Sequence, residues 1–150
     1  MTNDRINKAR IEKNDEFYTQ LEDIENELNF YKDTLVDKII YCNCDNYKWS
    51  NFYKYFKDNF KDLKIKLLIA TSYSINGEKT HKVIYDGENE IVEELIGDGD
   101  FRSQECVNIL KESDIIITNP PFSLFRDIVN LSIQYNKKFL IVGHQNNISY

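Results

Sequence analysis

The sequence predicts an α/β protein built on a mainly parallel sheet with helices on both faces. Three observations carry that expectation. Short apolar runs at 38–44, 65–71, 114–118 and 138–143 lack the in-out alternation of a half-solvated sheet, so they suit strands buried on both faces. Segments with helical periodicity separate them, as crossover connections require. Polar and turn-forming residues follow the strands' carboxyl ends at Asn43 to Asp45, Thr71, Asp100 and Asn119, where open α/β sheets gather ligands.

In chain order, Asn3 to Glu12 reads as a charged helical arm, and residues 15–19 as a short break. Thr19 is placed to cap the next helix, because Glu22 lies three residues on and Leu21, Ile24, Leu28 and Tyr31 form one apolar face. Residues 1–36 are thus expected to form an N-terminal helical arm and 37–150 a sheet-forming domain. A first strand spans Lys38 to Cys44, a helix Ser50 to Leu63, and a second strand Ile65 to Thr71. Residues 80–85 and 90–95, separated by Asp86-Gly87-Glu88-Asn89, read as an inserted hairpin. The Gly97-Asp98-Gly99-Asp100 turn leads to a helix over Ser103 to Lys111 and a strand over Asp114 to Thr118. Leu124, Ile128, Leu131 and Tyr135 mark one face of a helix over 123–135, and the last strand is Lys138 to Gly143, expected to be a sheet edge.

Composition narrows the function classes. No apolar run exceeds about six residues and the N-terminus is polar, so neither a membrane span nor a secretory signal is expected, and the cytoplasm is the default. Cys42 and Cys44 are one residue apart on an expected strand, where successive side chains face opposite ways, and are read as reduced thiols. Neither His81 nor His144 falls at ligand spacing, so no metal site is expected. A net charge of −6 argues against a free-standing nucleic-acid binder, whose affinity comes largely from phosphate contacts. Six lysines between Lys48 and Lys66 alternate with Trp49, Phe52, Tyr53, Tyr55, Phe56 and Phe60. Four-residue spacing of Phe52, Phe56 and Phe60 favours a helix stripe facing a core over a nucleic-acid surface, with Lys54, Lys57 and Lys61 on the solvated side.

The most informative stretch is Ile116 to Phe122, an apolar strand that ends in Asn119-Pro120-Pro121-Phe122. An amino group conjugated to a ring is a poor nucleophile until its lone pair localises, and two acceptors aimed at its two hydrogens favour that change. Asn119 offers a side-chain oxygen and Pro120 a backbone carbonyl, while both prolines fix φ near about −65° and stiffen the loop in advance. Phe122 supplies a face for stacking a flat substrate turned out of its helix. The plainer reading is a Pro-Pro turn closing a buried strand.

Several separated stretches then agree in one order: Asn14-Asp15-Glu16-Phe17-Tyr18-Thr19-Gln20, Tyr41-Cys42-Asn43-Cys44-Asp45 with Ser50-Asn51-Phe52, Leu68-Ile69-Ala70-Thr71, Asp98-Gly99-Asp100-Phe101-Arg102-Ser103, Asn119 to Arg126, and Lys138 to Gly143. From about residue 8 onward the chain resembles the adenine-specific DNA methyltransferases, and within them the EcoRI-type methylase family. The resemblance implies a Rossmann-like methyltransferase sheet, S-adenosylmethionine as cofactor, and N6 methylation of adenine in double-stranded DNA. It also implies a restriction endonuclease counterpart; it leaves the oligomer open. By the same resemblance, Phe17, Tyr18 and Thr19 touch the methionine end of the cofactor. Asn43 and Asp45 stand where it crosses the sheet, and Asp100 and Phe101 match the pair that binds its adenine. Bland alternatives accompany these roles: Tyr18 as a helix-entry staple, Asp45 as a turn residue, Asp100 as a helix cap.

The chain departs from the general methyltransferase pattern in three ways. No glycine-rich turn follows the first strand, and no carboxylate ends the second, where Thr71, Ser72 and Tyr73 stand instead. The chain also stops at Tyr150, so the sheet is expected to be incomplete on its C-terminal side and a target-recognition region to be absent. The 150 residues alone are accordingly expected to bind duplex weakly and not to methylate it at a useful rate. Rival expectations are an amino-group methylase acting on RNA or protein glutamine through the same loop, and a non-enzymatic methylase remnant.

Overall fold

The computed structural model describes residues 25, 26, 28–43, 48, 50–74, 77–118, 120, 122–142 and 147–149. Its strands are β1 (Ile39–Cys42), β2 (Leu67–Thr71), β3 (His81–Tyr85), β4 (Glu90–Glu94), β5 (Ile115–Thr118), β6 (Lys138–Val142) and β7 (Asn147–Ser149). They form one seven-stranded sheet in the order β4-β3-β2-β1-β5-β6-β7. The centre, β2-β1-β5-β6, is parallel. The β2–β3, β3–β4 and β6–β7 pairings are antiparallel, so the sheet is mixed, with a parallel heart and antiparallel margins.

Every residue of β5, and every residue of β1 after Ile39, is buried, which explains the continuous apolar runs. Alternate side chains divide between two cores. Ile40, Cys42, Leu68, Ala70, Ile115, Ile117 and Leu140 face one, together with Phe52, Phe56, Phe60 and Leu63 from α2 (Asn51–Asp58) and α3 (Phe60–Leu63). Leu35 of α1 (Lys32–Leu35) and Leu28 ahead of it join the same core. Tyr41, Ile69, Ile116, Phe139 and Ile141 face the other, with Ile109 and Leu110 of α4 (Gln104–Glu112) and Ile128 of α5 (Phe125–Gln134). Helices therefore cover both faces, as the sequence predicts.

The expected Ser50 to Leu63 helix is two helices. Ser50 caps the first by accepting the Tyr53 amide proton at 3.2 Å, and the break falls at Asn59, whose side chain turns back to donate to the Tyr55 carbonyl at 2.9 Å. Phe52, Phe56 and Phe60 are buried as the stripe predicts, with Lys54 and Lys61 exposed, so the lysine cluster is the solvated side of a core helix. The hairpin is present. Asp86 Oδ1 accepts from the amides of Glu88 and Asn89 at 2.9 and 2.7 Å to make its turn, and Gly87, at φ +100°, lies so close that an added Cβ would stand 2.8 Å from the Phe60 ring.

One expectation is corrected at the far margin. β6 is no sheet edge, because β7 pairs with it through Leu140↔Ser149, Ile141↔Ile148 and Val142↔Asn147. Three residues, Asn-Ile-Ser, carry too little periodicity to announce a strand, and only the existing β6 edge makes them one. The expected helix Asn3 to Glu12, the Thr19 cap and Cys44 lie outside the described residues.

Candidate active site

Going outward from β1, the chain steps to β2 on one side, and after the hairpin and α4 it returns to β5 on the other. The carboxyl ends of β1 and β5 thus flank the point where strand order reverses, the crevice that open α/β sheets offer to ligands. Asn43 follows β1 directly and Asn119 follows β5 directly.

Asn43 is 1% exposed, and neither its Oδ1 nor its Nδ2 has a hydrogen-bond partner. Burying an amide in that state costs about 1–3 kcal/mol, so it marks a place where a ligand's polar groups would be welcome. Its main-chain carbonyl accepts a 3.0 Å hydrogen bond from Oγ1 of Thr118, the last residue of β5. Among the described residues the other buried side-chain atom without a partner is Ser74 Oγ, three residues beyond β2. Thr71 and Ser72 are engaged internally: Thr71 Oγ1 lies 2.7 Å from the Tyr41 hydroxyl, and Ser72 Oγ accepts from the His81 amide at 2.9 Å.

The Asp98 to Asp100 turn packs onto this same end of β2. Ser74 donates its amide proton to the Asp98 carbonyl at 2.9 Å, and Gly99, at φ +80°, approaches so closely that a Cβ would stand 1.8 Å from the Ser72 carbonyl oxygen. Only glycine fits there. Asp98 Oδ1 accepts the Asp100 amide proton at 3.0 Å, and Asp100 in turn receives Arg102 through its main-chain N–H, Nε and a terminal nitrogen at 2.9, 3.0 and 2.9 Å. The Arg102 side chain and main-chain N–H hold the Asp100 carboxyl below the usual carboxylate range, against the opposing effect of partial burial. Arg102 also reaches Asp127 of α5 at 3.2 Å, which ties the Asp100 turn to the helix that follows the Pro-Pro loop.

The bland alternative for Asp100, a helix cap, falls to Ser103, whose Oγ accepts from the Cys106 amide at 3.3 Å. Phe101 is 2% exposed and its ring packs with Tyr41 and Ile69 in the second core. Pro120 is half-buried, and Phe122 opens a 3-10 turn, Phe122–Leu124, that leads into α5. Phe17, Tyr18, Thr19, Asp45, Asn119 and Pro121 lie outside the described residues, and with them the expected meeting of the Phe17 to Thr19 segment with the Asp100 turn. Sequence reasoning missed Thr118, Ser74 and the Arg102 to Asp127 bridge. A polar residue closing an apolar strand, as Thr118 does, was the available signal. Burial pushes the Cys106 thiol up, and neither Cys42 nor Cys106 forms a disulfide. Among the described residues no helix is long and apolar enough to cross a membrane.

An Asn-Pro-Pro-Phe sequence thus directly follows β5, at the reversal point of a mixed α/β sheet. The chain belongs to the family described as adenine-specific methyltransferase EcoRI, whose model matches residues 5–150. It is 45% identical to the Type II methyltransferase M.EcoRI of Escherichia coli, over 99% of this chain and 51% of that relative. Two further relatives are the Type II methyltransferases M.MgeORF184P of Mycoplasma genitalium, 42% identical, and M.MpnI of Mycoplasma pneumoniae, 40% identical, each over 97% of this chain and 45% of its own length. The chain spans about half the length of these curated relatives. No solved structure matches it. Membership of a methyltransferase family implies a methyl donor.

Proposed function

We propose that this chain is the catalytic front portion of an enzyme that transfers a methyl group from S-adenosylmethionine to the N6 amino group of adenine in double-stranded DNA. The observation that carries the reading is the Asn119-Pro120-Pro121-Phe122 sequence directly after β5, beside the crevice that Asn43 lines from β1.

The residues present fit the cofactor. Asn43 brings a buried, unpartnered amide able to donate and accept, and the Asp98 to Asp100 turn is already seated at the neighbouring strand end. Asn43 and Asp45 would hold the cofactor where it crosses the sheet, Phe17, Tyr18 and Thr19 its methionine end, and Asp100 and Phe101 its adenine. With its ring in the core, Phe101 contributes by anchoring the Asp100 turn. When bound, S-adenosylmethionine supplies an electrophilic methyl group on a sulfonium leaving group.

The chain's own residues do the rest. Extruding the target adenine costs about a few kcal/mol, and stacking on Phe122 offsets some of it. The Asn119 side-chain oxygen and the Pro120 carbonyl accept hydrogen bonds from the two amino hydrogens, which draws the nitrogen lone pair out of conjugation; the alkylated nitrogen, then positively charged, releases one of these protons to water. Catalysis is then mainly orientation and electrostatic fit.

Incubation of the intact protein with tritiated cofactor and unmethylated DNA, RNA or protein tests the reading. Label is expected in DNA adenine, and Asn119→Ala is expected to lower turnover by about 10²–10³-fold with little change in affinity for S-adenosylhomocysteine. Label in RNA or in protein glutamine, no transfer at all, or an undiminished Asn119→Ala variant would each overturn it.

A further inference from the structure

The pairing of the central strands stops at different levels on the two sides of β5. β5 stays paired with β6 as far as Thr118↔Ile141, and β1 with β2 as far as Cys42↔Ala70. Between β1 and β5, however, the ladder ends at Tyr41↔Ile116. The two central strands therefore diverge one residue before the end of β1 and two before the end of β5. The gap is crossed beyond that point by the Thr118 Oγ1 to Asn43 carbonyl hydrogen bond, 3.0 Å long, between two residues each 1% exposed. Thr118 immediately precedes Asn119, and Asn43 belongs to the strand end expected to meet the cofactor.

We infer that Thr118 is a positioning residue: its hydroxyl is a crossbar that sets the spacing between the amino-holding loop and the cofactor end of β1. Resting on the function proposed above, the inference adds a residue that the sequence motifs pass over. Without the crossbar, the main chain leading into Asn119 is fixed only from the β6 side, and its distance from β1 is free to drift. Methyl transfer is an in-line displacement, so a misplacement of about 1 Å costs about 10²-fold in rate. A burial-only role for Thr118 predicts a different outcome, because valine fills the same space as threonine without the hydroxyl.

The test compares the intact protein with its Thr118→Val and Thr118→Ser variants. Three quantities are measured: single-turnover transfer from tritiated S-adenosylmethionine to duplex DNA from a methylation-deficient strain, S-adenosylhomocysteine binding by calorimetry, and melting temperature. Thr118→Val is expected to slow transfer about tenfold or more while leaving the dissociation constant within about twofold. Thr118→Ser, which keeps the donor, is expected to restore the rate to within about twofold. Transfer at the unsubstituted rate in Thr118→Val overturns the crossbar. So does a parallel loss of rate, binding and melting temperature that serine fails to rescue, since that pattern belongs to packing alone. If the unsubstituted protein binds S-adenosylhomocysteine but labels no DNA, the proposed function fails and the crossbar's role fails with it.

Discussion

The outer hairpin and the carboxyl ends of the central strands treat polar groups in opposite ways. On the hairpin, Glu90 accepts from both Lys57, at 2.6 Å, and the Tyr53 hydroxyl, and Lys79 lies 3.6 Å from Glu94. Apart from the buried Tyr53, these groups are partly solvated as well, and β4 is exposed along its length. At the central strand ends, by contrast, Asn43 and Ser74 hold buried polar atoms with no partner. Stability alone would fill such positions with apolar side chains or give them partners. The difference teaches where the molecule gives up stability, and it does so at the strand ends beside β5, which the Asn119-Pro120-Pro121-Phe122 sequence follows.

Two glycine substitutions probe that contrast most strongly. Gly99→Ala drives a Cβ to 1.8 Å from the Ser72 backbone oxygen and strains a φ of +80°, so about 3–4 kcal/mol of stability is expected to be lost, along with the seat of the Asp100 turn. Gly87→Ala also strains its backbone, but the atoms it meets belong to the Phe60 ring at 2.8 Å, a side chain that can shift. It is expected to cost about 1–3 kcal/mol and to leave S-adenosylhomocysteine binding intact. Urea unfolding and calorimetry on both variants decide it, and equal losses of binding would erase the distinction between the two regions.

Asn43→Leu sharpens the comparison in the other direction. Replacing an unpartnered buried amide with an apolar side chain of similar size is expected to raise stability by about 1–2 kcal/mol while weakening S-adenosylhomocysteine binding at least about tenfold. Lower stability in urea would mean that the amide is satisfied in solution and holds nothing in reserve.

The smallest effect belongs to the hairpin. Partial burial opposes ionisation of Glu90, yet the hydrogen bonds from Lys57 and Tyr53 outweigh it and hold the carboxyl below the usual range. A carboxylate with a depressed folded pKa contributes stability above its unfolded value, about 4.3, and loses it as pH falls through the folded value. Glu90→Gln is expected to cost about 1 kcal/mol or less at pH 7, because Glu90 and Lys57 are both partly solvated, and nothing once the pH is well below 4. A difference that persists in acid would assign the effect to packing.

The same contrast marks what was legible. The helix stripe of Phe52, Phe56 and Phe60 and the hairpin around Asp86 to Asn89 follow from local periodicity and turn chemistry, and both stand where the sequence places them, within a residue or two. The helix break at Asn59 and the β7 strand were not legible. An asparagine within a helical pattern and three residues of weak strand propensity are decided by what packs or pairs beside them.

For the site the division is sharper. The sequence by itself determined the parallel heart of the sheet and the Asn119-Pro120-Pro121-Phe122 sequence directly after a strand end, because apolar periodicity and proline geometry are local properties. Only the tertiary structure decided that the Asp98 to Asp100 turn closes onto Ser72 and Ser74, that Phe101 belongs to the core, and that Thr118 reaches the Asn43 carbonyl across an opened ladder. Asn43 and Thr118 are 75 positions apart, and their bond depends on β1 and β5 being sheet neighbours that diverge just before their ends. Contact between such distant positions is set by the crossover topology, which no window of sequence contains.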